Sequence, residues 1–461
     1  MGAASEGQRT VAGRRAHVYV ISAIAALSGL LFGFDTAVIN GALPFLRQDF
    51  RLTDFQVEIA AGVLLWGCVF GALGAGALSD RLGRRGALRC SAVLFALAAV
   101  GSAIPPGLMG LAAARFAAGL AIGVASALAP MYIAEIAPAR VRGRLVSMNQ
   151  LAIVTGILLA YFVNWRLAVL GAGSWRWMFA AAAAPAVAFY LGLLRIPESP
   201  RWLMRRGDER AAFDILARIA PADEARAEVA AIRRAIEEEA ASKVADLFRP
   251  GLRKPFVVAV SLAVLQQVTG INTILYYGSI LLKEHAGQET SAAIGANVLV
   301  GLVNLVCTIA AMFVIDRVGR RPLLMAGAAG MGLSLAGLGL AFRRDPLPVN
   351  LLLALILAYV ACFATSMGPG VWVYISELFP TAIRGRAVSA ATVCLWAACL
   401  LVTLTFLTLV QWLTPAGAFW IYAGLCAATV AFVWRAAPET SGKSLEEIQR
   451  LWTRDQPSCK S

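Results

Sequence analysis

Stretches of about 20 mostly apolar residues, long enough to cross the hydrocarbon core of a bilayer as helices, recur between His17 and Arg435. Twelve such windows begin near residues 17, 57, 87, 108, 146, 175, 256, 291, 322, 350, 388 and 417. An apolar share of 59% and a mean hydropathy of +0.72 lie above what a water-soluble domain carries. In lipid, backbone amides have to find partners within the protein, so these windows predict an all-α integral membrane protein of twelve transmembrane helices.

The formal charge of +14 would suit a nucleic-acid surface in a soluble protein, but here the position of each basic residue matters more than the sum. With the N-terminus in the cytoplasm, 33 of the Lys and Arg residues fall on the inner side and 7 on the outer, and Arg115 inside a span completes the 41. That asymmetry follows the positive-inside rule, predicts a multi-pass protein of the cell's inner (plasma) membrane with both termini cytoplasmic, and argues against a nucleic-acid partner. Residues 1–16 form a basic, polar tail; the run after them contains Asp35 and lacks a small-residue cleavage site, so it reads as a retained first helix. The eight Cys include no C-x-x-C pair, and His17 and His285 lie far apart, so no disulfide framework, metal site or cofactor is expected.

An internal repeat organises the windows. Asp80-Arg81-Leu-Gly83-Arg84-Arg85 after the second returns as Asp316-Arg317-Val-Gly319-Arg320-Arg321 after the eighth. Glu135-Ile-Ala-Pro138 to Arg142-Gly143-Arg144 after the fourth returns as Glu377-Leu-Phe-Pro380 to Arg384-Gly385-Arg386 after the tenth, and Pro197-Glu198-Ser199 returns as Pro438-Glu439-Thr440. The offsets are 236, 242 and 241 residues. Each copy follows an even-numbered span, so the halves share one orientation: a six-helix half at 17–195, a cytoplasmic helical linker at 196–255, a second six-helix half at 256–436 and a cytoplasmic tail at 437–461. Parallel halves of this kind clasp a solute near the midplane and rock about it. Asp80, Arg84, Arg85, Glu135, Arg142, Glu198, Asp316, Arg320, Arg321, Glu377 and Arg384 are expected to act as a cytoplasmic gate, through ion pairs that hold one half against the other and break on opening.

Ionisable residues deep in a span are costly and mark function. Asp35 lies in the first span, and Arg115 opens Arg115-x-x-x-Gly119-x-x-x-Gly123 on the fourth, where the glycines let another backbone approach. A carboxylate beside a cation stays ionised, and one that is separated or dehydrated takes up a proton, so the pair is a candidate for proton coupling. The seventh span carries Gln266-Gln267-Val-Thr269-Gly270-Ile-Asn272-Thr273 and then Tyr276-Tyr277. Amides and hydroxyls both donate and accept, which suits an uncharged polyol, and Gly270 permits a bend there.

These strings, with Pro130-Met131-Tyr132, Pro197-Glu-Ser-Pro-Arg-Trp202 and Pro438-Glu-Thr-x-Gly442-Lys, resemble the sugar porter family of the major facilitator superfamily over about Gly29 to Ile448. The resemblance implies the major facilitator fold, alternating access, and a monosaccharide or polyol carried by proton symport or by uniport. It also implies substrate contacts at Phe32, Gln150, Ile153, Gln266, Gln267, Asn272, Tyr277, Asn304, Trp372 and Trp396, and proton coupling at Asp35 and Arg115. Relatives often have amides flanking the eleventh-span Trp, where this chain has Leu395 and Cys399, so hydrogen bonding on that wall is reduced. The expected partners are the sugar, the proton and the lipid bilayer, with the chain acting as a monomer. An ATP-driven pump is disfavoured because Gly442-Lys443-Ser444 lacks the upstream glycine of a phosphate loop, and no nucleophile or metal constellation suggests an enzyme. A nontransporting sugar sensor is the remaining alternative.

Overall fold

The computed structural model describes residues 2–138, 141–241, 244–249, 251–284, 289–344, 348–379, 381–441 and 447; for residues 2–16, 238–241, 244–245, Glu284, Asp316, Thr381 and Ala382 it describes the backbone alone. His285, Pro380, residues 442–444 and most of the C-terminal tail lie outside the described residues. Among the described residues there are helices and turns but no strand. Ten helices are long and apolar enough to cross a membrane: His17–Asp49, Asp54–Ala103, Leu108–Ile136, Arg142–Ala168, Ser174–Leu193, Arg253–Lys283, Thr290–Ile315, Arg320–Ala341, Val349–Glu377 and Ile383–Ala436. Two of them are double. Asp54–Ala103 is interrupted at Gly83 (φ 79°, ψ 169°), and the last helix at Thr414 (φ 64°, ψ 163°), just before Pro415. Twelve spans result, in two six-helix repeats, with starts a turn or two from those read in the sequence.

Three spans are discontinuous, each for a chemical reason. Pro185 has no N–H for the carbonyl four residues back, and the sixth span breaks into Ser174–Ala180 and Ala183–Leu193. Pro369 does the same to Thr365, so the tenth divides at Ser366 into Val349–Thr365 and Met367–Glu377. The seventh divides at Gly270, φ 93°, between Arg253–Val268 and Ile271–Glu284. A Cβ on Gly270 would sit 3.0 Å from the Tyr422 ring, so both backbone angle and space call for glycine. Irregular backbone at membrane depth is tolerated where protein surrounds it or where it lines a cavity. Large apolar side chains such as Phe70, Leu73, Phe313 and Leu401 remain exposed along the spans, as lipid-facing surface does.

The linker is helical. Ser199 caps Pro200–Arg205, Asp208 caps Glu209–Ile219, and Ala222–Ala241 follows. Leu216, Ala225 and Val229 form its small core, packed against Met204, Phe213 and Ile232.

Packing divides the chain into two compact units: Met1–Asp35, Gly67–Gly156 and Phe179–Ala241 in one, Thr36–Trp66, Ile157–Met178 and Ser242–Ser461 in the other. These differ from the repeat boundaries. The ends of the first, second, fifth and sixth spans that lie away from the duplicated loops pack with the second repeat, whereas their remainders pack with the third and fourth spans and the linker.

Candidate functional site

The two copies of the charged loops fold alike, each inside its own unit. Gly83 (φ 79°, ψ 169°) and Gly319 (φ 92°, ψ 158°) share a conformation essentially confined to glycine. A Cβ would lie 2.4 Å from Glu198 Oε2 at the first and 2.9 Å from Glu439 Oε2 at the second. The carboxylates fill that room and accept the opening N–H groups of the next span. Arg85 N–H donates to Glu198 at 3.0 Å, and the Arg320 and Arg321 N–H groups donate to Glu439 at 3.0 Å each. Arg84 grips Glu135 through Nε (3.0 Å) and Nη2 (3.2 Å), as Arg320 grips Glu377 (3.3 and 3.0 Å). The hydroxyls of Tyr132 and Tyr374 donate to the carbonyls of Pro197 and Pro438, both at 2.7 Å, and those of Ser199 and Thr440 donate to Glu135 and Glu377.

The ion pairs of Arg84 and Arg320 described here each lie within one repeat. Arg84 and Arg320 sit in the first turns of their spans, beside the end of the neighbouring span in the same repeat, and find their carboxylates there. Asp80 lies 3.9 Å from Arg84 and 3.5 Å from Arg205. Arg142 pairs with Glu228 of the linker at 3.1 Å, and Arg384 donates to the Phe379 carbonyl. Arg85 and Arg321 donate to the carbonyls of Leu193 and Trp434. These bonds brace the loops of each repeat. Glu198 and Glu439 differ electrostatically: burial raises the Glu198 carboxyl above its ordinary value, with backbone N–H groups offsetting only part. For Glu439 burial also acts upward, but the N–H groups of Ser441, Arg320, Arg321 and Thr440 outweigh it and leave the carboxyl below its ordinary value.

Deep in the first unit Arg115 and Asp35 meet. Arg115 Nη1 donates to Asp35 Oδ1, Nη2 donates to the Asp35 carbonyl at 3.0 Å, and the guanidinium lies 5.2 Å from the Phe179 ring centroid. Arg115 is 1% exposed and Asp35 6%. Arg115 Nε is buried with no hydrogen-bond partner among the described residues. The fourth-span glycines do what their spacing predicts: a Cβ on Gly67 or Gly123 would strike the Phe116 or Cys68 carbonyl at 2.2 or 2.3 Å, so the second and fourth spans meet backbone to backbone. Gly156 similarly lets the fifth span lie on the first, against the Leu30 carbonyl. Phe32, Gln150 and Ile153 are half-buried in this unit.

In the second unit the amides of the seventh span form a chain. Gln266 Nε2 donates to the carbonyls of Met367 (2.6 Å) and Gly368 (3.2 Å), spanning the break in the tenth span. Gln267 Nε2 donates to Gln266 Oε1 at 3.2 Å, and Asn272 Nδ2 donates to Gln267 Oε1 and to Cys399 Sγ. Tyr277 donates to the Thr403 carbonyl at 2.8 Å. Asn304 and Trp396 are buried, Trp372 half-buried. Sequence reasoning missed the polar ties that join the two repeats inside this unit. Asn40 Nδ2 donates to the Leu275 carbonyl (2.8 Å), Tyr161 donates to the same carbonyl (2.9 Å), and Ser279 donates to the Asn40 carbonyl. Glu58 accepts from Thr408 twice. A polar residue in an apolar window flagged Asp35, and the same signal was present at Asn40, five residues on. The Ser366-Met-Gly-Pro-Gly370 string likewise announced the tenth-span break.

The general family pattern described as "Sugar (and other) transporter" matches residues 21–452. The chain belongs to the sugar porter family of the major facilitator superfamily. It is 39% identical over 445 residues to an arabinose-proton symporter of Bacillus subtilis, covering 95% of both chains. It is 38% identical over 476 residues to the D-xylose-proton symporter of Escherichia coli K12, covering 95% of this chain and 96% of that one. A solved structure of a major facilitator proton:xylose symporter bound to 6-bromo-6-deoxy-D-glucose superposes with a TM-score of 0.82 at 37% identity, covering 95% of this chain and 100% of the other. This sugar porter is thus a multi-pass inner-membrane protein whose relatives are transporters rather than enzymes.

Proposed function

We propose that this sugar porter imports a monosaccharide or polyol by alternating access, in symport with protons. The observation that carries the reading is the Asp35–Arg115 ion pair, buried within the spans of a chain whose relatives are named as sugar-proton symporters. Asp35 takes up a proton when its hold on Arg115 loosens, and gives it up when the pair re-forms, so the two groups couple proton passage to the motion of the spans. The amide chain Gln266, Gln267 and Asn272 serves sugar hydroxyls, and the faces of Trp372 and Trp396 serve its C–H surface. Tyr277, Asn304, Phe32, Gln150 and Ile153 are further substrate contacts implied by the family resemblance. The duplicated Arg–Glu clusters keep the loops of each repeat rigid while the halves move, and the cytoplasm holds these loops and both termini. The lipid-embedded chain works as a monomer.

The test is counterflow of labelled hexoses, pentoses and inositols in proteoliposomes, repeated under an imposed pH gradient. Asp35→Asn is expected to keep counterflow and lose gradient-driven accumulation; concentrative, pH-dependent uptake that survives this substitution removes Asp35 from the coupling mechanism.

A further inference from the structure

Glu58 is a further carboxylate buried within the spans, apart from the Asp35–Arg115 pair. It lies in the second turn of the second span and is 0% exposed. Its Oε1 accepts the Thr408 N–H at 2.8 Å and its Oε2 accepts the Thr408 hydroxyl at 2.7 Å. Thr408 belongs to the eleventh span, so this one residue ties the first repeat to the second at the end of the bundle opposite the charged loops. The tie is the middle rung of an antiparallel stripe. One turn earlier Asp54 accepts from Gln411, and one turn later Gly62 is so close to Leu404 that a Cβ would lie 2.6 Å from its Cδ2.

The groups that face Glu58 are few. Asp54, on the same span, repels it and is itself paired with Arg47 at 2.7 Å. The phenols of Tyr277 on the seventh span and Tyr422 on the twelfth lie within its electrostatic reach. Among the described residues no cation pairs with Glu58. Its hydrogen bonds are stronger to the carboxylate, and the Thr408 and Leu407 N–H groups oppose the effect of burial and of Asp54, but the contacts to Thr408 can form in either charge state: in the neutral acid the carbonyl oxygen still accepts the Thr408 N–H, and the acid O–H donates to Thr408 Oγ1, whose own proton turns away. Protonation therefore keeps both hydrogen bonds and removes the cost of a buried, unpaired charge beside Asp54. When this end of the bundle opens, water reaches Glu58 and supports the ionised form.

We infer that Glu58 and Thr408 form a proton-dependent latch on the outer gate of this transporter: protonated Glu58 favours the closed gate, ionised Glu58 the open one. The inference rests on the transport reading for the word gate, but not on the sugar or on Asp35. The proton enters from and returns to the outer side, so it tunes the gate without being carried across.

Hydrogen exchange of the full chain in lipid nanodiscs, read in the segment 404–413 and corrected for the intrinsic pH dependence of amide exchange, reports opening of the latch. For wild type, opening is expected to rise with pH, by at most about tenfold per pH unit for one linked proton. Glu58→Gln mimics the neutral acid, and should exchange slowly with no pH slope, whereas Asp35→Asn should keep the wild-type slope. Thr408→Val, which removes the hydroxyl that donates to the carboxylate and accepts from the neutral acid, should open more at every pH. A wild-type slope in Glu58→Gln, loss of the slope in Asp35→Asn, or a Thr408→Val profile equal to wild type each overturns the latch. Sugar counterflow of the same proteins in proteoliposomes separates the two readings: intact counterflow with a pH-insensitive gate sinks the latch alone, and absent counterflow with a pH-sensitive gate sinks the transport reading alone.

Discussion

Gly83→Ala tests the duplicated turn most directly. Alanine at φ 79°, ψ 169° carries a backbone penalty of about 1–3 kcal/mol. Its Cβ would lie 2.4 Å from Glu198 Oε2, so the carboxylate must withdraw from the Arg85 N–H, a hydrogen bond to a charged acceptor that contributes about 1.5–3 kcal/mol. Together these give a loss of about 2.5–6 kcal/mol. At Gly319 the backbone penalty is the same, but the 2.9 Å clearance to Glu439 asks for a smaller shift, so the loss is about 2–4 kcal/mol. A six-helix repeat falls where 1 kcal/mol moves the midpoint by about 2–4 °C, so Gly83→Ala should lower it by about 10 °C and Gly319→Ala by less. Tryptophan-fluorescence melting of the full chain in detergent micelles, at one fixed scan rate, reads this difference. In a Glu198→Ala background the collision is gone and only the backbone penalty remains, so Gly83→Ala should cost about half as much there. A Gly83→Ala midpoint within about 2 °C of wild type, or equal losses in both backgrounds, refutes the reasoning.

Three further outcomes follow from the same geometry. Glu439, held below the ordinary carboxylate value, contributes stability that is present above that value and lost as pH falls through its lowered one; Glu198, pushed up by burial, contributes at low pH and loses that contribution as pH rises through its raised value. Glu439→Gln should therefore melt below wild type at neutral pH, with the gap closing on acidification, while Glu198→Gln should match or exceed wild type at neutral pH; melting curves across a pH series check both. Gln266→Leu strips the donor from the Met367 and Gly368 carbonyls and the acceptor from Gln267, and should destabilise by about 1–3 kcal/mol and raise the sugar KM in counterflow. Cys399→Asn returns an amide to the eleventh-span wall, worth about 0.5–1.5 kcal/mol per new hydrogen bond, and should tighten binding of a hexose by about 2–10-fold in competition counterflow.

What could be read in advance was whatever the bilayer enforces locally. Apolar windows had to become helices because lipid offers no partner for a backbone amide, so all twelve spans were legible. Gly270 announced its own break, and Asp35 and Arg115 stood out because charge in an apolar window is costly. What could not be read depended on partners far away in the chain. Glu58 drew no reading from the sequence, because the partner that gives it meaning, Thr408, lies 350 residues on. The choice of Glu135 by Arg84 and of Glu377 by Arg320 was hidden for another reason: several acids recur at the same loops, and only the packing of spans within each repeat decides among them.

That choice bears on how the halves can move. Were the Arg84–Glu135 and Arg320–Glu377 pairs strung between the repeats, opening the charged end would mean breaking buried, charge-assisted bonds, each worth several times an exposed pair. Held within each repeat, and tied by Glu198 and Glu439 to the next helix start, they can survive the motion and make each repeat move as one body. The ties that join the repeats at the opposite end are of another kind: Asn40 to the Leu275 carbonyl, Tyr161 to the same carbonyl, Ser279 to the Asn40 carbonyl and Glu58 to Thr408. The neutral bonds among them contribute about 0.5–1.5 kcal/mol each, so together these ties amount to a few kcal/mol. A difference of that size is what separates two conformations when the minor one is populated at the percent level, so a proton or a sugar can tip the balance. Strong bonds inside each repeat and weak ones between them are the distribution that rocking demands.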